Sequence, residues 1–181
     1  MSRLPKAQIF FLTDRKELDL QTFKEFNSFK TNSVEKINYT SELVNYLKNP
    51  SYKIVSTSIY KMFKLINKKN NASDKIKNLD LITKWQDKKM FFIVDECHRS
   101  QSGKMHNALK KTFPQARFFG FTGTPVFTNS SNHNEKTTQN LFGDCQHNYT
   151  MFQTLKHKCV LPFYVHYLTN KYEIDDKQQK N

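Results

Sequence analysis

Glycine is scarce in this sequence. Only Gly103, Gly120, Gly123 and Gly143 occur in 181 residues, about 2% where about 7% is usual. No G-x-x-x-x-G-K-[ST] string is present, since Gly103-Lys104 is followed by Met105. A phosphate-cradling loop of that type is therefore absent from these residues. Cysteine is limited to Cys97, Cys145 and Cys159. The odd number and the lack of C-x-x-C spacing argue against a disulfide framework or a zinc site and fit a reducing cytosol. Apolar runs are short, and none approaches the ~18 residues that a membrane span needs. The opening MSRLPKAQIFFLTDR carries positive charge, but its apolar run is too short for a secretion signal. A membrane protein is excluded, and the expected location is the cytoplasm.

Aromatic residues and positive charge are abundant. Hydrophobic content is 37%, but 16 Phe and 8 Tyr add buried area per side chain, enough for a folded core in a chain of domain size. The net charge of +13 favours polyanions such as nucleic acid. It is unevenly spread: residues 48–90 hold 11 Lys against 3 acids, whereas residues 1–47 carry only +1. A solvated lysine-rich surface and a basic binding patch both remain open.

Periodicity divides the chain into alternating strands and helices. Gln8–Thr13 is a short apolar strand. Asp14 and Glu17 form a capping-box-like start to a helix reaching about Phe29, with Leu18, Phe23, Phe26 and Phe29 for its buried side. Ser41–Lys48 is a second helix with Leu43, Val44 and Leu47 on one face, ended by Pro50. Lys53–Ser58 is a β-branched strand, Tyr60–Asn67 a helix presenting Met62, Phe63 and Ile66, and Lys68–Ser73 a polar loop. Leu79, Ile82 and Trp85 mark a weaker amphipathic segment. Phe91–Val94 is the kind of apolar strand found inside a parallel sheet. A helix over Met105–Phe113, with Met105, Ala108 and Leu109 on one face and stopped by Pro114, separates it from a second buried strand, Phe118–Phe121. Thr128–Thr138 reads as a polar loop, Tyr149–Lys158 as a helix, Val160–Leu168 as a strand, and Lys171–Asn181 as a frayed tail. The fold class is α/β with a mostly parallel sheet.

Four strands end in polar signatures: Thr13-Asp14-Arg15, Ser56-Thr57-Ser58, Asp95-Glu96 and Thr122-Gly123-Thr124. Ligands of such sheets collect at strand carboxyl ends, so the four predict one shared functional edge. Asp95 suits a Mg²⁺ ion accompanying a nucleoside triphosphate, held through water, because magnesium prefers hard oxygen ligands and keeps several waters. Glu96 can orient or deprotonate an attacking water. The competing reading is that Asp95-Glu96 merely caps the next helix and that His98 is a satisfied polar residue at its start. A Cys97/His98 nucleophilic pair is dismissed, since adjacent residues on one turn do not address one carbonyl.

Val94-Asp95-Glu96-Cys97-His98 resembles the D-E-x-H Walker B box of superfamily 2 helicases and translocases. Thr122-Gly123-Thr124-Pro125 resembles their motif III. The longer strings DECHRSQ and FGFTGTPV resemble the R (restriction and motor) subunit of type I restriction enzymes. Asp14-Arg15-Lys16-Glu17-Leu18-Asp19-Leu20-Gln21 resembles that family's DRxxLxxQ segment, and Leu141-Phe142-Gly143-Asp144 through Leu161-Pro162 the segment that follows motif III.

The resemblance implies a RecA-like, mostly parallel sheet flanked by helices, incomplete because the phosphate-binding strand is missing. Residues 1–127 would be a partial first helicase ATP-binding domain, and residues 128–181 a connection toward a second motor domain. Asp95 would be the Mg²⁺-associated acid and Glu96 the hydrolytic base, with Gly123 beside the nucleotide. His98 would couple to motif III, where Thr122 and Thr124 relay hydrolysis to the DNA-bound state. Arg15, Gln21 and Thr57 would lie near the DNA. ATP and Mg²⁺ would serve the intact motor of an ATP-dependent type I site-specific deoxyribonuclease. Its partners would be double-stranded DNA and the modification and specificity subunits, with no membrane. The family's phosphate-binding loop precedes the first strand of this sequence, and its nuclease and second motor domains are also missing. The expectation is that the chain alone is inactive. The alternatives are a remnant or split-gene product that only binds DNA or partner subunits, or another superfamily 2 helicase.

Overall fold

A computed structural model describes residues 7–13, 16–29, 31–51, 53–67, 80–98, 100–127 and 137–167, without the side chains of 16–19 and 100–102. The chain divides into two compact units, Met1–Asp144 and Cys145–Asn181.

The first unit alternates strands with helices. In order these are β1 (Gln8–Thr13), α1 (Lys16–Phe29), β2 (Val34–Lys36), α2 (Thr40–Lys48), β3 (Ile54–Ser58) and α3 (Ile59–Asn67). They are followed by a helix over residues 80–86, α4, then β4 (Met90–Val94), α5 (Ser100–Thr112), β5 (Arg117–Gly120) and α6 (Thr138–Phe142). The five strands form one sheet in the order β2-β3-β1-β4-β5, and every pairing is parallel. This is the α/β, RecA-like arrangement that the sequence implied. Parallel neighbours require crossovers, which the intervening helices supply. After β1 the chain leaves toward β2, and after β4 it leaves toward β5. The carboxyl ends of β1 and β4 therefore flank the point where the connections diverge, the usual crevice for a ligand in such sheets.

The two faces of the sheet differ. Phe10, Leu12, Val55, Met90, Phe92 and Val94 form one core with Leu43, Met62, Trp85, Leu109 and Phe113 from the helices. Phe92 stacks between Phe10 (5.3 Å) and Phe118 (4.9 Å). Each fully buried side chain of this size contributes roughly 1.5–3 kcal/mol. Polar groups in this core are paired: Tyr46 Oη donates to Gln8 Oε1 at 2.8 Å, Gln8 Nε2 to the Lys53 carbonyl at 2.7 Å, and Trp85 Nε1 to the Leu47 carbonyl at 2.9 Å. On the opposite face α1 covers β1 through Phe26, whose ring lies 5.4 Å from that of Phe11.

Several expectations are corrected. Phe29, expected on the buried side of α1, is 84% exposed, because it is the last helical residue and lies beyond the sheet-facing turns. Phe118–Phe121, expected as a buried strand, is an edge strand with Phe119 and Phe121 exposed. Among the described residues β5 has no strand on its outer side, while its Phe118 packs against His106 at 4.7 Å. The polar stretch expected as a loop over Thr128–Thr138 ends in α6, capped by the Thr137 hydroxyl accepting from the Asn140 N–H and closed by Gly143 at φ +87°, a left-handed position suited to glycine. The expected loop Lys68–Ser73 and residues 128–136 lie outside the described residues.

The second unit contains α7 (Met151–Lys156), shorter than expected, with a reciprocal Thr150–Gln153 cap. The Tyr149 and His157 rings stack at 5.7 Å, and the phenol lies 2.8 Å from His157 Nδ1. Residues 160–167 were expected to be a strand, but they have no strand partner among the described residues and are exposed. A strand exists only against a neighbour, and without one VLPFYVHY stays irregular. Among the described residues no helix is long and apolar enough to cross a membrane, and the three cysteines are free thiols.

Candidate functional site

β4 ends where its apolar run ends, and the next four residues, Asp95 to His98, form a turn. The pairing with β1 continues one step beyond Leu12–Val94, through the Asp95 N–H donating to the Leu12 carbonyl at 3.0 Å. Asp95 thus stands abreast of Thr13 at the crevice between β1 and β4. Burial pushes the Asp95 carboxyl above the ordinary carboxylate range, opposed by the Glu96 N–H it accepts at 3.0 Å and assisted by the Glu96 charge. A cation nearby would offset that cost. Among the described residues no three His, Cys, Asp or Glu side chains gather as a metal cage. The donors present are hard carboxylate oxygens, a set that fits magnesium held mainly by water and phosphate.

Glu96 occupies the left-handed region at φ +49°. Such a conformation is uncommon for a residue with a side chain. Its Oε2 lies 3.4 Å from His98 Nδ1. Cys97, between them, is buried, and its thiol is pushed up to about 11 by that burial and by the adjacent carboxylates. It is packing rather than a nucleophile.

The irregular segment after β5 returns to this turn. The Phe121 N–H donates to the Val94 carbonyl at 2.9 Å, and the Cys97 N–H donates to the Phe121 carbonyl at 3.1 Å. These bonds bring Thr122 and Thr124 to His98. His98 Nδ1 lies 2.5 Å from Thr122 Oγ1, Thr124 Oγ1 lies 3.3 Å from each ring nitrogen, and the Thr124 N–H donates to Thr122 Oγ1 at 3.1 Å. An ionised Glu96 can only accept. A proton on Nδ1 therefore serves Glu96 and Thr122 together, and a lone pair there would oppose the carboxylate.

The other expected site residues are placed differently. Thr57 is fully buried, and its hydroxyl donates to the Ile37 carbonyl at 3.2 Å, which also accepts from Lys61 Nζ at 3.0 Å. Gln21 is exposed on α1. Arg15 lies outside the described residues. Gly123 is exposed, and an added Cβ there would meet nothing within 4 Å. Two features escaped the sequence reading. Thr13 Oγ1 is buried at the crevice without a hydrogen-bond partner among the described residues. Gly120 lies so close to Cys97 Sγ and the Phe142 ring that an added Cβ would approach both within 3 Å. A glycine inside a strand was its only signal.

Known proteins resemble this chain over most of its length. The family model SWI2/SNF2 ATPase matches residues 1–181. A type I restriction enzyme endonuclease subunit of Staphylococcus saprophyticus is 41% identical over 161 residues, covering 89% of this chain and 16% of that protein. A second, from Staphylococcus aureus, has the same identity and coverage. The C-terminal part of a type I restriction enzyme endonuclease subunit from Mycoplasma pneumoniae is 34% identical over 108 residues, 59% of this chain and 48% of that protein. The chain therefore spans about one sixth of the length of the staphylococcal relatives.

Proposed function

The chain belongs to the SWI2/SNF2 ATPase family, and from that premise we propose that it supplies the magnesium and hydrolysis half of an ATP-driven motor acting on double-stranded DNA within a type I restriction endonuclease subunit. One observation carries the proposal: His98, Thr122, Thr124 and Glu96 meet at the ends of adjacent strands. Asp95 is the residue that would hold a magnesium ion, which when bound would supply charge neutralisation at the phosphates. Glu96 orients and deprotonates the attacking water, while Asp95 and Gly123 flank the nucleotide. His98 passes the state of Glu96 to Thr122 and Thr124. Arg15 and Gln21 lie on the DNA side, and Thr57 braces that side through Ile37. Phosphate contacts there are independent of sequence and sensitive to salt. The modification and specificity subunits are the partners, and the cytoplasm is the setting.

The 181 residues contain no G-x-x-x-x-G-K-[ST], so the phosphate cradle comes from polypeptide outside them. The open edge of β5, with Phe119 and Phe121 exposed, supports that division. The same observation favours a second reading, a non-enzymatic piece that only binds DNA or partner subunits. The test is phosphate release from ATP in the presence of duplex DNA. None is expected from the chain alone. Release should appear when a polypeptide carrying a strand and G-x-x-x-x-G-K-[ST] is added, and Glu96→Gln should abolish it. Restored activity that survives Glu96→Gln would sink the hydrolysis role, and no restoration by any such polypeptide favours the second reading.

A further inference from the structure

α6 is five residues long, yet it touches three separate parts of the site. At its start the Val126 N–H, just past Thr122-Gly123-Thr124-Pro125, donates to Thr138 Oγ1 at 2.9 Å, and the Thr138 N–H donates back to the Val126 carbonyl at 3.0 Å. Near its end the Leu141 carbonyl accepts from Lys110 Nζ at 3.0 Å and lies 3.0 Å from His106 Nε2, both on α5. Phe142 then lays its ring 4.4 Å from that of His106 and against Gly120, where an added Cβ would stand 2.8 Å from Phe142 Cδ1 and 2.7 Å from Cys97 Sγ. Cys97 is the middle of the Asp95–His98 turn, and its N–H is tied to the Phe121 carbonyl.

We propose that α6 is a clasp that sets the apposition of His98 with Thr122 and Thr124, and that Phe142 and Gly120 are positioning residues acting through Cys97. The role rests on the proposed function of those three side chains, but the clasp concerns their geometry. The Phe142 ring and the Cys97 thiol both close on the space left by the missing Cβ of Gly120, so that space seats the turn and the helix together. The Val126–Thr138 pair holds the far end of the motif III segment against the same helix. His98 reaches Thr124 at 3.3 Å, near the outer limit of a hydrogen bond, so a turn displaced by about 1 Å loses that contact. Displacements of this size are costly at reacting centres.

The test reads the His98 ring directly and needs no nucleotide. Long-range proton–nitrogen spectra of the 15N-labelled 181-residue chain at pH 8 report the ring state, with His98 assigned through His98→Gln. The wild-type chain should show one defined ring state, and Thr122→Ala should lose it. Phe142→Ala should shift the His98 lines to the averaged positions of a free imidazole, and Phe142→Leu should retain most of the wild-type signature. Gly120→Ala should behave as Phe142→Ala does. The Trp85 indole N–H, bonded to the Leu47 carbonyl beneath the sheet, must hold its position for a variant to count as folded. If Phe142→Ala unfolds, Thr138→Val carries the same expectation, since it removes the Val126 acceptor and keeps every packed side chain. Unchanged His98 lines in a folded Phe142→Ala or Thr138→Val overturn the clasp. Failure of the hydrolysis role would instead appear in the Glu96→Gln phosphate-release assay and leave these spectra as they are.

Discussion

Thr13, Ser56 and Thr57 are fully buried, whereas Asp95, Glu96, His98, Thr122 and Thr124, at the ends of neighbouring strands in the same sheet, all keep some contact with solvent. Both groups begin as the same signal, polar residues closing an apolar run. The difference lies in the chain just beyond each strand. β3 passes into α3 without an intervening residue, Ser58 to Ile59, so the helix lies over the strand end and the hydroxyls turn inward. β4 is followed by a four-residue turn and β5 by an irregular segment, which leave their side chains open to a ligand. The strand ends share one edge of the parallel sheet. Along it the Thr13, Ser56 and Thr57 hydroxyls of β1 and β3 are buried, and the polar groups after β4 and β5 reach solvent.

The largest effect that sharpens this contrast is expected at Glu96. In the complemented motor Glu96→Gln should cut DNA-stimulated hydrolysis about 10²–10⁴-fold, the usual worth of a positioned base. Its side chain is 38% exposed, so stability should stay within about 0.5 kcal/mol. Equal losses of activity and of melting temperature would make Glu96 structural and erase the distinction.

Thr57 is expected to show the reverse. Thr57→Val keeps the volume but removes one donor to the Ile37 carbonyl, which keeps Lys61 Nζ, at a cost of about 0.5–1.5 kcal/mol, or a fall of roughly 1–6 °C in a chain of this size. Urea unfolding followed by Trp85 fluorescence measures it. Unaltered stability together with weakened DNA binding would move Thr57 from brace to contact.

The features of this contrast were unequally legible in the sequence. Apolar runs and one-sided spacing mark β1, β3, β4, α2 and α3, because burial there depends on local pattern. β2 is only Val34–Lys36, two of its three residues charged, and offers no periodicity. α6 is hidden because only Leu141 and Phe142 of its five residues are apolar, adjacent in sequence and not at helical spacing, and its docking depends on Gly120 and His106, far away in sequence. The exposure of Phe119 and the irregular state of 160–167 depend on which partners stand beside them, which local pattern does not encode. At the site, the family resemblance implied that His98 meets Thr122 and Thr124. That Thr57 turns inward and that Phe142 and Cys97 both close on Gly120 followed only from packing.

Asp95 gives a smaller, pH-dependent effect. Burial raises its folded pKa above the ordinary 3.8, so the folded chain holds this proton more tightly than the unfolded chain does. The stability associated with it is complete below the unfolded value and is lost as pH rises through the folded value. At pH 7 Asp95→Asn should therefore be more stable than wild type, by up to about 1 kcal/mol, and the gap should close as pH falls toward 4. A constant gap across that range would mean that burial is not its cause.

The smallest effect separates two glycines three residues apart. An alanine at Gly120 must displace Cys97 or Phe142, whereas an alanine at Gly123 meets nothing within 4 Å and faces no left-handed φ. Gly123→Ala should therefore change stability by no more than about 0.5 kcal/mol in loss, and the reduced freedom of the unfolded chain favours a gain of about 0.4–1 kcal/mol. Thermal unfolding of the two variants side by side measures the difference. If Gly123→Ala falls as far as Gly120→Ala, the open, ligand-facing character of the β5 end is wrong, because space free in the folded chain cannot resist a methyl group. If it holds its stability but slows the complemented motor, the space above Gly123 is filled only when nucleotide is present, which is what a site at the open end of the sheet requires.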